Sequence, residues 1–441
     1  MNAPRGSSGP RYRLLLVSAV LPFPGASGQQ QRVLNKLRAL RRSFRITFLT
    51  FAPEARRQSI GEELLEHVDE ALVLPARYAA SPGIGALGHK LRARLWAWPR
   101  GLKTSNAVVS RFELTPQRVL EAIRGRSFDA ALFEYWHAHE TARALQQQIP
   151  VVALDMHDLL YESFRRQLEE HPWGRALPRP LRERQIAVYR HREESAWRDF
   201  HQLISINSHE HREAQKVLGP DGDLIYAPMG VDLEDWPHVP DPASEPRLAF
   251  FGGLGSPHNQ RDARICHHEV LPRVREQVPG TSLWIVGSKP PPDIQALHDE
   301  SAGVVVTGFV EDPVEPLSKA WVVLCPWTGT YGFRSRLVQV MALGVPVVAS
   351  PDAIVGMDLH HGEGIFLAGT PEAMAARAIE LLQNPEQRRV QGEKARRAVE
   401  EVYSFDATYG HLEREMVRRV EASPGSRLST DVDPAGSEAA G

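Results

Sequence analysis

The sequence predicts an α/β protein in which two doubly wound, parallel-sheet domains follow one another along the chain. The length of 441 residues exceeds what one hydrophobic core usually organises. Two apolar segments, 13–20 and 248–251, each run into a loop that contains glycines, which is how such a domain opens. The predicted boundaries are a disordered tail at 1–10, a first domain at 11–236, a Pro-, Asp- and Ser-rich linker at 237–246, a second domain at 247–402, a crossing helix at 403–421 and a disordered tail at 422–441.

The composition is that of an ordinary globular protein, with 42% apolar and 24% charged residues. A net charge of −2 gives no electrostatic support for nucleic-acid binding. The two cysteines, Cys266 and Cys325, form neither a disulfide framework nor a zinc pattern, which favours a reducing compartment. No apolar run is long enough to span a bilayer, and the polar segment 1–10 lacks the features of a signal peptide. We therefore expect a cytoplasmic protein without nucleic-acid partners.

The first predicted domain alternates strands with helices. Its opening glycine loop lacks the G-x-G-x-x-G pattern of a dinucleotide-binding domain, which disfavours a dehydrogenase. Two later strands run into polar residues, Glu134 and His137 after one and His157 after the next. Because the carboxyl ends of parallel strands face the binding crevice, we expect these residues near a ligand. The alternative is that Asp158 caps the following helix and His157 is incidental.

The second predicted domain carries two features suited to an anion. Gly252 and Gly253 follow its first strand, and their lack of a side chain lets phosphate approach the backbone. The stretch 332–350 places Arg334 and Arg336 at the start of a helix, where unpaired N–H groups and the helix dipole favour negative charge. Arginine adds paired donors to phosphate. A surface helix with solvated arginines is the alternative interpretation.

The stretch 332–350 resembles the donor-site signature of glycosyltransferase family 4, the GT-B enzymes that use nucleotide sugars. The residues that match the signature are Gly332, Arg334, Arg336, Met341, Ala342, Gly344, Pro346, Val347 and Val348. The loop 22–32 resembles the P-x-P-x-x-G-x-x-x-R opening of the same enzymes, and 155–158 resembles their D-x-H-D segment. The resemblance implies two Rossmann-like domains that face each other across a cleft, with the last helix crossing back to the first domain.

The resemblance also implies roles for residues in both domains. The donor-binding residues are Gly252, Gly253, Asn259, Gly308, Val310, Gly332, Phe333, Arg334, Arg336 and Gln339. The acceptor-side residues are Gly25, Ser27, Gly28, Arg32, Glu134 and His137. The catalytic residues are His157 beside the donor sugar and Arg334 and Arg336 on the departing diphosphate. Family membership further implies retention at the anomeric carbon, no metal, and no cofactor apart from the nucleotide-sugar substrate.

Two departures from the family pattern bear on activity. Gln339 stands where the family has a Glu associated with the donor ribose, so a hydrogen-bond acceptor remains but its charge is lost. The loop after Gly253 lacks the Arg and Lys of many members, which leaves the phosphates to Arg334 and Arg336 with Arg261 as a helper. A non-catalytic nucleotide-sugar or glycan-binding relative is therefore one alternative function. A nucleotide-sugar epimerase is another, although no acid–base carboxylates stand out for it.

Two further segments have competing interpretations. Basic residues and tryptophans alternate with leucines over 84–103, which suits peripheral contact with anionic lipid or with a lipid-linked acceptor. We favour the plainer interpretation, an amphipathic helix packed on its own domain. The D-x-D sequence Asp221-Gly-Asp223 resembles a metal–diphosphate motif, but it lies in a Gly/Pro-rich turn signal, and we predict a turn.

Overall fold

The computed structural model describes residues 11–25, 27–78, 84–170, 172–238, 242–329 and 333–423. These residues form two compact units. The first unit contains the chain up to Ile206, the segment 210–227 and the segment from Gly410 onward, whereas the second contains 207–209 and 228–409. The predicted tail 1–10, most of the predicted tail 422–441, part of the linker and the site residue Gly332 lie outside the described residues.

A seven-stranded parallel sheet forms the centre of the first unit. Its strands are β1 (Tyr12–Val17), β2 (Phe44–Ala52), β3 (Glu70–Pro75), β4 (Ala130–Glu134), β5 (Val151–Asp155), β6 (Gln202–Ser205) and β7 (Leu224–Tyr226). They lie in the order β3-β2-β1-β4-β5-β6-β7, with Leu14 between Ile46 and Ala130. Alternate residues point to opposite faces, so Leu15 enters one hydrophobic core and Leu16 the other. The strands are apolar throughout because both faces are covered.

Helices connect these strands. They are α1 (Gly28–Leu40), α2 (Glu54–Leu65), α3 (Ile84–Ala97), α4 (Thr104–Ala107), α5 (Pro116–Ala122), α6 (His139–Leu145), α7 (Leu160–Glu170), α8 (Pro172–Arg175), α9 (Arg179–Trp197) and α10 (Ser208–Leu218). Helix α1 buries Val33, Leu37 and Leu40, which recur at three- and four-residue spacing as an amphipathic helix requires.

A six-stranded parallel sheet forms the centre of the second unit. Its strands are β8 (Arg247–Phe251), β9 (Ser282–Val286), β10 (Val304–Gly308), β11 (Val322–Cys325), β12 (Val347–Ala349) and β13 (Ile365–Leu367), in the order β10-β9-β8-β11-β12-β13. Its helices are α11 (Pro257–Ile265), α12 (Leu271–Gln277), α13 (Pro292–Gln295), α14 (Val314–Ser318), α15 (Ser335–Ala342), α16 (Pro371–Gln383) and α17 (Pro385–Ala398). The prediction of two doubly wound sheets is confirmed.

The last described helix, α18 (His411–Glu421), belongs to the first unit. Its apolar face places Leu412, Met416 and Val420 in the same core as strand β1, and each of the three is fully buried. The Tyr12 hydroxyl also donates to Oε1 of Glu421 at 3.1 Å. The first unit is therefore assembled from two parts of the chain that are far apart in sequence.

The segment 228–236 belongs to the second unit, although it was predicted to end the first domain. The reason is a pair of backbone hydrogen bonds. The N–H of Val231 donates to the Tyr403 carbonyl at 2.9 Å, and the N–H of Phe405 donates to the Val231 carbonyl at 2.8 Å. Backbone pairing with a segment so distant in sequence could not be read from local composition.

Candidate functional site

In the second unit, the strand order reverses between β8 and β11. Ligands of doubly wound sheets bind outside the carboxyl ends of the strands at such a point. Gly252 and Gly253 follow β8, and the segment 327–329 follows β11 and leads toward α15. The donor-binding residues predicted from the sequence are therefore concentrated at the edge of the sheet where physical reasoning expects a ligand.

The glycine loop that follows β8, residues 252–256, is held by close backbone packing. The N–H of Gly252 donates to the Val286 carbonyl at 3.0 Å, and a Cβ on Gly287 would lie 1.8 Å from the Gly252 carbonyl oxygen. Only glycine at position 287 allows this approach. The side-chain amide of Asn259 donates to the Gly253 carbonyl at 2.8 Å, so Asn259 braces the loop.

Arg336 lies directly beside this glycine loop. Its Nη2 is 3.4 Å from the point that a Cβ on Gly253 would occupy, and its Cζ is 5.7 Å from the centre of the Phe251 ring. The Arg336 side chain is exposed, but partial desolvation by the surrounding protein still lowers its pKa below the usual arginine value. No carboxylate in the described part of the chain pairs with it. The start of α15 thus holds an exposed, partly desolvated cation next to the half-buried Gly253 backbone, an arrangement that suits an anion.

Arg334 occupies the N-cap position of α15, with its Nη2 donating to the Gly329 carbonyl at 2.7 Å. Its neighbour Asp262 is buried, and this burial raises the pKa of the carboxyl even though Arg261 pairs with it at 2.6 Å. Arg261 also donates to the Thr328 hydroxyl at 2.7 Å. Arg261, the helper suggested by the sequence, therefore already holds two protein partners.

The remaining donor-side predictions fall on one strand end and one helix. Gly308 ends β10 with φ of +69°, which favours glycine, and Val310 packs against the core. Phe333 packs on Tyr403 with 5.8 Å between ring centres. Gln339 is half-buried, and its amide has no hydrogen bond to any described residue. These positions leave room for a role in donor binding, but none of their described contacts indicates one.

The acceptor-side loop of the first unit shapes the start of α1. Gly25 adopts φ of +76°, and Gly28 is the first helical residue. The Ser27 hydroxyl accepts from the Gln30 N–H, and the Ser27 N–H donates to the Gln30 side chain, both at 3.3 Å. This reciprocal pair is a capping box. Ser27 is therefore already used as a helix cap.

Below this loop lies a buried charge network formed by Arg32, Lys36, Glu134, Asp155 and His157. The Arg32 guanidinium donates to Asp155 at 2.9 Å, and the Lys36 ammonium donates to Glu134 at 2.6 Å. Lys36 also bonds Asp155, and His157 Nε2 bonds Glu134. All five side chains have an exposed fraction of 2% or less. Arg32 and Glu134 are therefore buried inside this network and do not reach solvent. This differs from the prediction that both residues contact an acceptor.

Charge balance stabilises this network. Burial alone would raise the pKa of Asp155, but the charges of Arg32 and Lys36 outweigh burial and hold it well below its usual range. Glu134 behaves in the same way: burial opposes ionisation, yet Lys36 and His157 lower its pKa. The ligand atoms of Glu134, Asp155 and His157 lie within 4.8 Å of one another, which is a metal-like spacing. The protein's own cations already contact both carboxylates.

Backbone strain is concentrated beside the network. Tyr135 and His157, which follow β4 and β5, have φ of +64° and +59°. These values are uncommon for residues with side chains, and such strain is often found at functional sites. The two rings stack with 4.5 Å between centres, and the N–H of His157 donates to Asp155 at 3.2 Å. His157 is thereby held rigidly at the carboxyl edge of the sheet.

Two other sequence predictions have clear positions. His137 lies outside the charge network, with its Nδ1 2.8 Å from the amide nitrogen of Asn106. The D-x-D sequence forms a turn as predicted, and Asp223 accepts from Gln202 at 2.9 Å and pairs with Arg419 at 3.1 Å. The Asp223 carboxylate is therefore already engaged by partners within the protein.

Sequence reasoning missed Lys36 as a member of the network. Lys36 lies four residues after Arg32 on α1, so the two cations share one helix face. That face also carries Val33 and Leu37, which are buried. A pair of basic residues within an apolar stripe was the available signal, because buried cations require carboxylate partners.

Comparison with known proteins relates these features to one group of enzymes. Residues 245–384 match the family described as Glycosyl transferases group 1. A phosphatidyl-myo-inositol mannosyltransferase of Mycobacterium leprae is 30% identical over 193 residues, which is 41% of this chain and 50% of that protein. The chain therefore matches about half the length of this curated relative.

Solved structures show the same fold at low sequence identity. Sucrose-phosphate synthase from Thermosynechococcus elongatus superposes with a TM-score of 0.63 at 17% identity, covering 94% of this chain and 100% of the other. Anabaena Alr3699/HepE in complex with UDP superposes with a TM-score of 0.58 at 15% identity, covering 92% and 100%. The chain therefore has the fold of the GT-B glycosyltransferases, and the part of it that carries the glycine loop and Arg336 matches a glycosyltransferase family.

Proposed function

We propose that the protein is a glycosyltransferase that moves a sugar from a nucleotide-diphosphate sugar to a glycan, lipid-linked or small-molecule acceptor. One observation carries the proposal: the Arg336 guanidinium, which has no carboxylate partner among the described residues, lies against the Gly253 backbone at the switch point of the second sheet. The family match covers both residues. Solved structures of similar fold, one with UDP and one with UDP and glucose, support a nucleotide sugar as the donor.

In this proposal the second unit binds the diphosphate of the donor. The C–O bond between the anomeric carbon and the diphosphate breaks and the leaving diphosphate gains negative charge. The oxygen of an acceptor hydroxyl bonds the anomeric carbon, and its proton passes to an oxygen of the leaving diphosphate. Arg336, Arg334 and the N–H groups at the start of α15 stabilise the leaving charge. No metal ion is needed in this scheme. Retention at the anomeric carbon follows from the family resemblance alone.

The first unit supplies the acceptor side. The strained, stacked pair of Tyr135 and His157 marks the edge of its sheet. The family resemblance alone assigns His157 to the donor sugar, because its side chain is 2% exposed and its Nε2 bonds Glu134. The buried charge network holds that histidine in place through Glu134. The relative from Mycobacterium leprae is named for a phosphatidyl-myo-inositol substrate, which favours a lipid-linked acceptor here.

Product analysis with a panel of radiolabelled nucleotide sugars tests the function. Each sugar is incubated with the protein and with candidate acceptors, and the label is traced to free sugar, a glycoside or an epimerised donor. We expect label in an acceptor, with donor hydrolysis as a slower side reaction. Epimerised donor would identify the epimerase alternative. Saturable nucleotide binding without any product across the panel would identify the non-catalytic alternative and contradict the proposal.

We also propose that α3 and the following turn contact a membrane surface. Ala93 and Ala97 pack inward, whereas Leu91, Leu95 and Trp98 are 57%, 63% and 53% exposed. The outward face is therefore apolar, which differs from the docked leucine face that we favoured from the sequence. Exposed arginines flank it, as contact with anionic lipid requires. Within the described segments, no helix has the length and apolarity to cross a bilayer.

Vesicle sedimentation tests this surface. We expect wild-type protein to sediment with vesicles of phosphatidylglycerol and phosphatidylcholine, and the Leu91→Asp/Leu95→Asp variant to lose most of that binding. Each leucine side chain contributes roughly 1.5–3 kcal/mol when buried, so the loss should exceed tenfold. Leu65→Asp is the matched control, because Leu65 is 52% exposed on α2. Equal binding by all three proteins would show that α3 does not contact lipid.

A further inference from the structure

A concave site of about 610 Å³ in the first unit has no role in the function proposed above. Its walls come from the segment 96–111, from the residues 136–143 that follow β4, and from α9 with the adjoining Asp199. A volume of roughly 300–1,000 Å³ is typical of small-molecule sites. The lining is unusually basic, with five arginines against two carboxylates: Arg100, Arg111, Arg143, Arg184 and Arg192 against Glu140 and Asp199.

The two carboxylates neutralise only part of this charge. Asp199 accepts from Arg143 at 2.7 Å and from His139 at 2.7 Å, and Glu140 lies 3.6 Å from Arg111. The other three arginines of the lining have no acidic partner within the described residues. A concave wall with uncompensated positive charge concentrates anions, because its protein surroundings screen the field less than water does.

The arginines on one side of the site are held in place. The ring of Trp96 has the Arg100 guanidinium 4.8 Å from its centre and the Arg111 guanidinium at the same distance. Such cation–π contacts restrict both side chains. The Nε of Arg192 donates to the Arg100 carbonyl at 2.9 Å, which leaves its terminal nitrogens for a ligand. A planar guanidinium presents paired donors that match the oxygens of a phosphate group.

His137 adds a neutral donor to the lining. Burial lowers the pKa of His137 to about 3, so its ring is uncharged at neutral pH. Asn106 accepts the Lys103 N–H through its side-chain oxygen at 3.2 Å, which turns its amide nitrogen toward His137 Nδ1. Because Nδ1 then accepts a hydrogen bond, the ring proton lies on Nε2 and is available to donate.

From these observations we infer that this cavity, which we call the arginine pocket, binds a phosphate-bearing group of the acceptor substrate. Arg100, Arg184 and Arg192, which have no acidic partner in the described segments, match the two negative charges of a phosphomonoester, and the neutral histidine donor suits a phosphate oxygen. The identification of the ligand as an acceptor substrate rests on the proposed glycosyltransferase function. Binding of the phosphate itself does not depend on turnover. The same chemistry could come from a soluble phosphorylated polyol or from a lipid headgroup.

Calorimetric titration of the full chain with two probes distinguishes these sources. Glycerol 3-phosphate and dihexanoyl phosphatidate carry the same phosphomonoester without and with acyl chains, and glycerol is the uncharged control. We expect at least one phosphate probe to bind, with affinity that falls as salt is raised. Binding of both probes would identify a soluble phosphate ligand, and binding of phosphatidate alone a lipid headgroup. The absence of binding by both would overturn the inference.

Charge reversal locates the binding. Arg184→Glu and the double variant Arg184→Glu/Arg192→Glu should lower the affinity for the phosphate probe by about tenfold or more, since hydrogen bonds to charged groups are worth that much. Both residues are exposed, so the fold should tolerate the changes. Arg179→Glu is the control on the same helix outside the pocket and should change the affinity less than about twofold. Equal affinity in all variants would overturn the inference, whereas UDP binding measured in parallel reports on the proposed donor site alone.

Discussion

Replacing Arg336 with alanine is expected to lower turnover at saturating acceptor by about 100-fold or more, the usual cost of removing one donor to a developing charge. Arg336 has no carboxylate partner among the described residues and lies against the Gly253 backbone. Its charge is therefore available to the leaving diphosphate, because no described carboxylate neutralises it. The measurement is the initial rate of sugar transfer with the donor and acceptor found by the product panel.

Two comparisons separate a role in chemistry from a role in folding. Arg336→Lys keeps the charge but loses the planar fork, so it should retain an intermediate rate. Arg389→Ala removes an exposed arginine of the same unit that pairs with Glu386 and Glu393, and it should leave the rate unchanged. In Arg336→Ala, UDP should also raise the melting temperature less than in wild type. An unchanged rate in Arg336→Ala would contradict the assignment of this arginine.

The second large effect concerns stability. Asp155→Asn is expected to lower the free energy of unfolding of the first unit by about 3–5 kcal/mol, because it leaves buried cations without their partner. Arg32 and Lys36 both bond Asp155, and neither side chain is exposed. Urea unfolding followed by circular dichroism measures the change. Glu70→Gln is the control, since the Glu70–Arg126 pair is 37% exposed on both sides and should cost less than about 1 kcal/mol.

The same carboxylates make stability depend on pH in a defined direction. The folded pKa values of Asp155 and Glu134 are lowered, so their contribution is complete above the unfolded pKa values of about 4. It is lost as the pH falls through the folded values, because protonation breaks the ion pairs. Asp155→Asn should therefore lose stability less steeply than wild type in acid. A variant as stable as wild type at neutral pH would show that the network contributes little.

Much of the fold was accessible from the sequence because its signals are local. Strand β8 reads as an apolar run that ends at Gly252, and α15 ends before Gly344, a position with φ of +79° that favours glycine. Arg336 and the glycine loop were each assigned to donor binding, because each belongs to its own recognisable segment of the sequence. The structure adds the proximity of Arg336 to Gly253 and shows no carboxylate partner for it among the described residues, which bears on what the arginine can bind.

The parts that were not predicted depend on contacts between distant residues. Arg32 was expected to face a ligand, but Asp155 lies 123 positions away in the chain and holds it inside the protein. The sequence around Arg32 does not indicate that Asp155 is its partner. The arginine pocket is a similar case, since Arg100 and Arg192 come from separate helical segments and meet only after folding. Local patterns identify such residues as basic but do not reveal whether they are paired.

The position of α18 has a consequence for biosynthesis. The hydrophobic core behind β1 gains Leu412 and Met416 only when the end of the described chain has been made. Residues 228–409, which form the second unit, leave the ribosome before them. At roughly 5–20 residues per second, translation takes on the order of ten seconds or more to cover that stretch. During this time the nascent first unit has an uncovered apolar groove, where chaperones can bind.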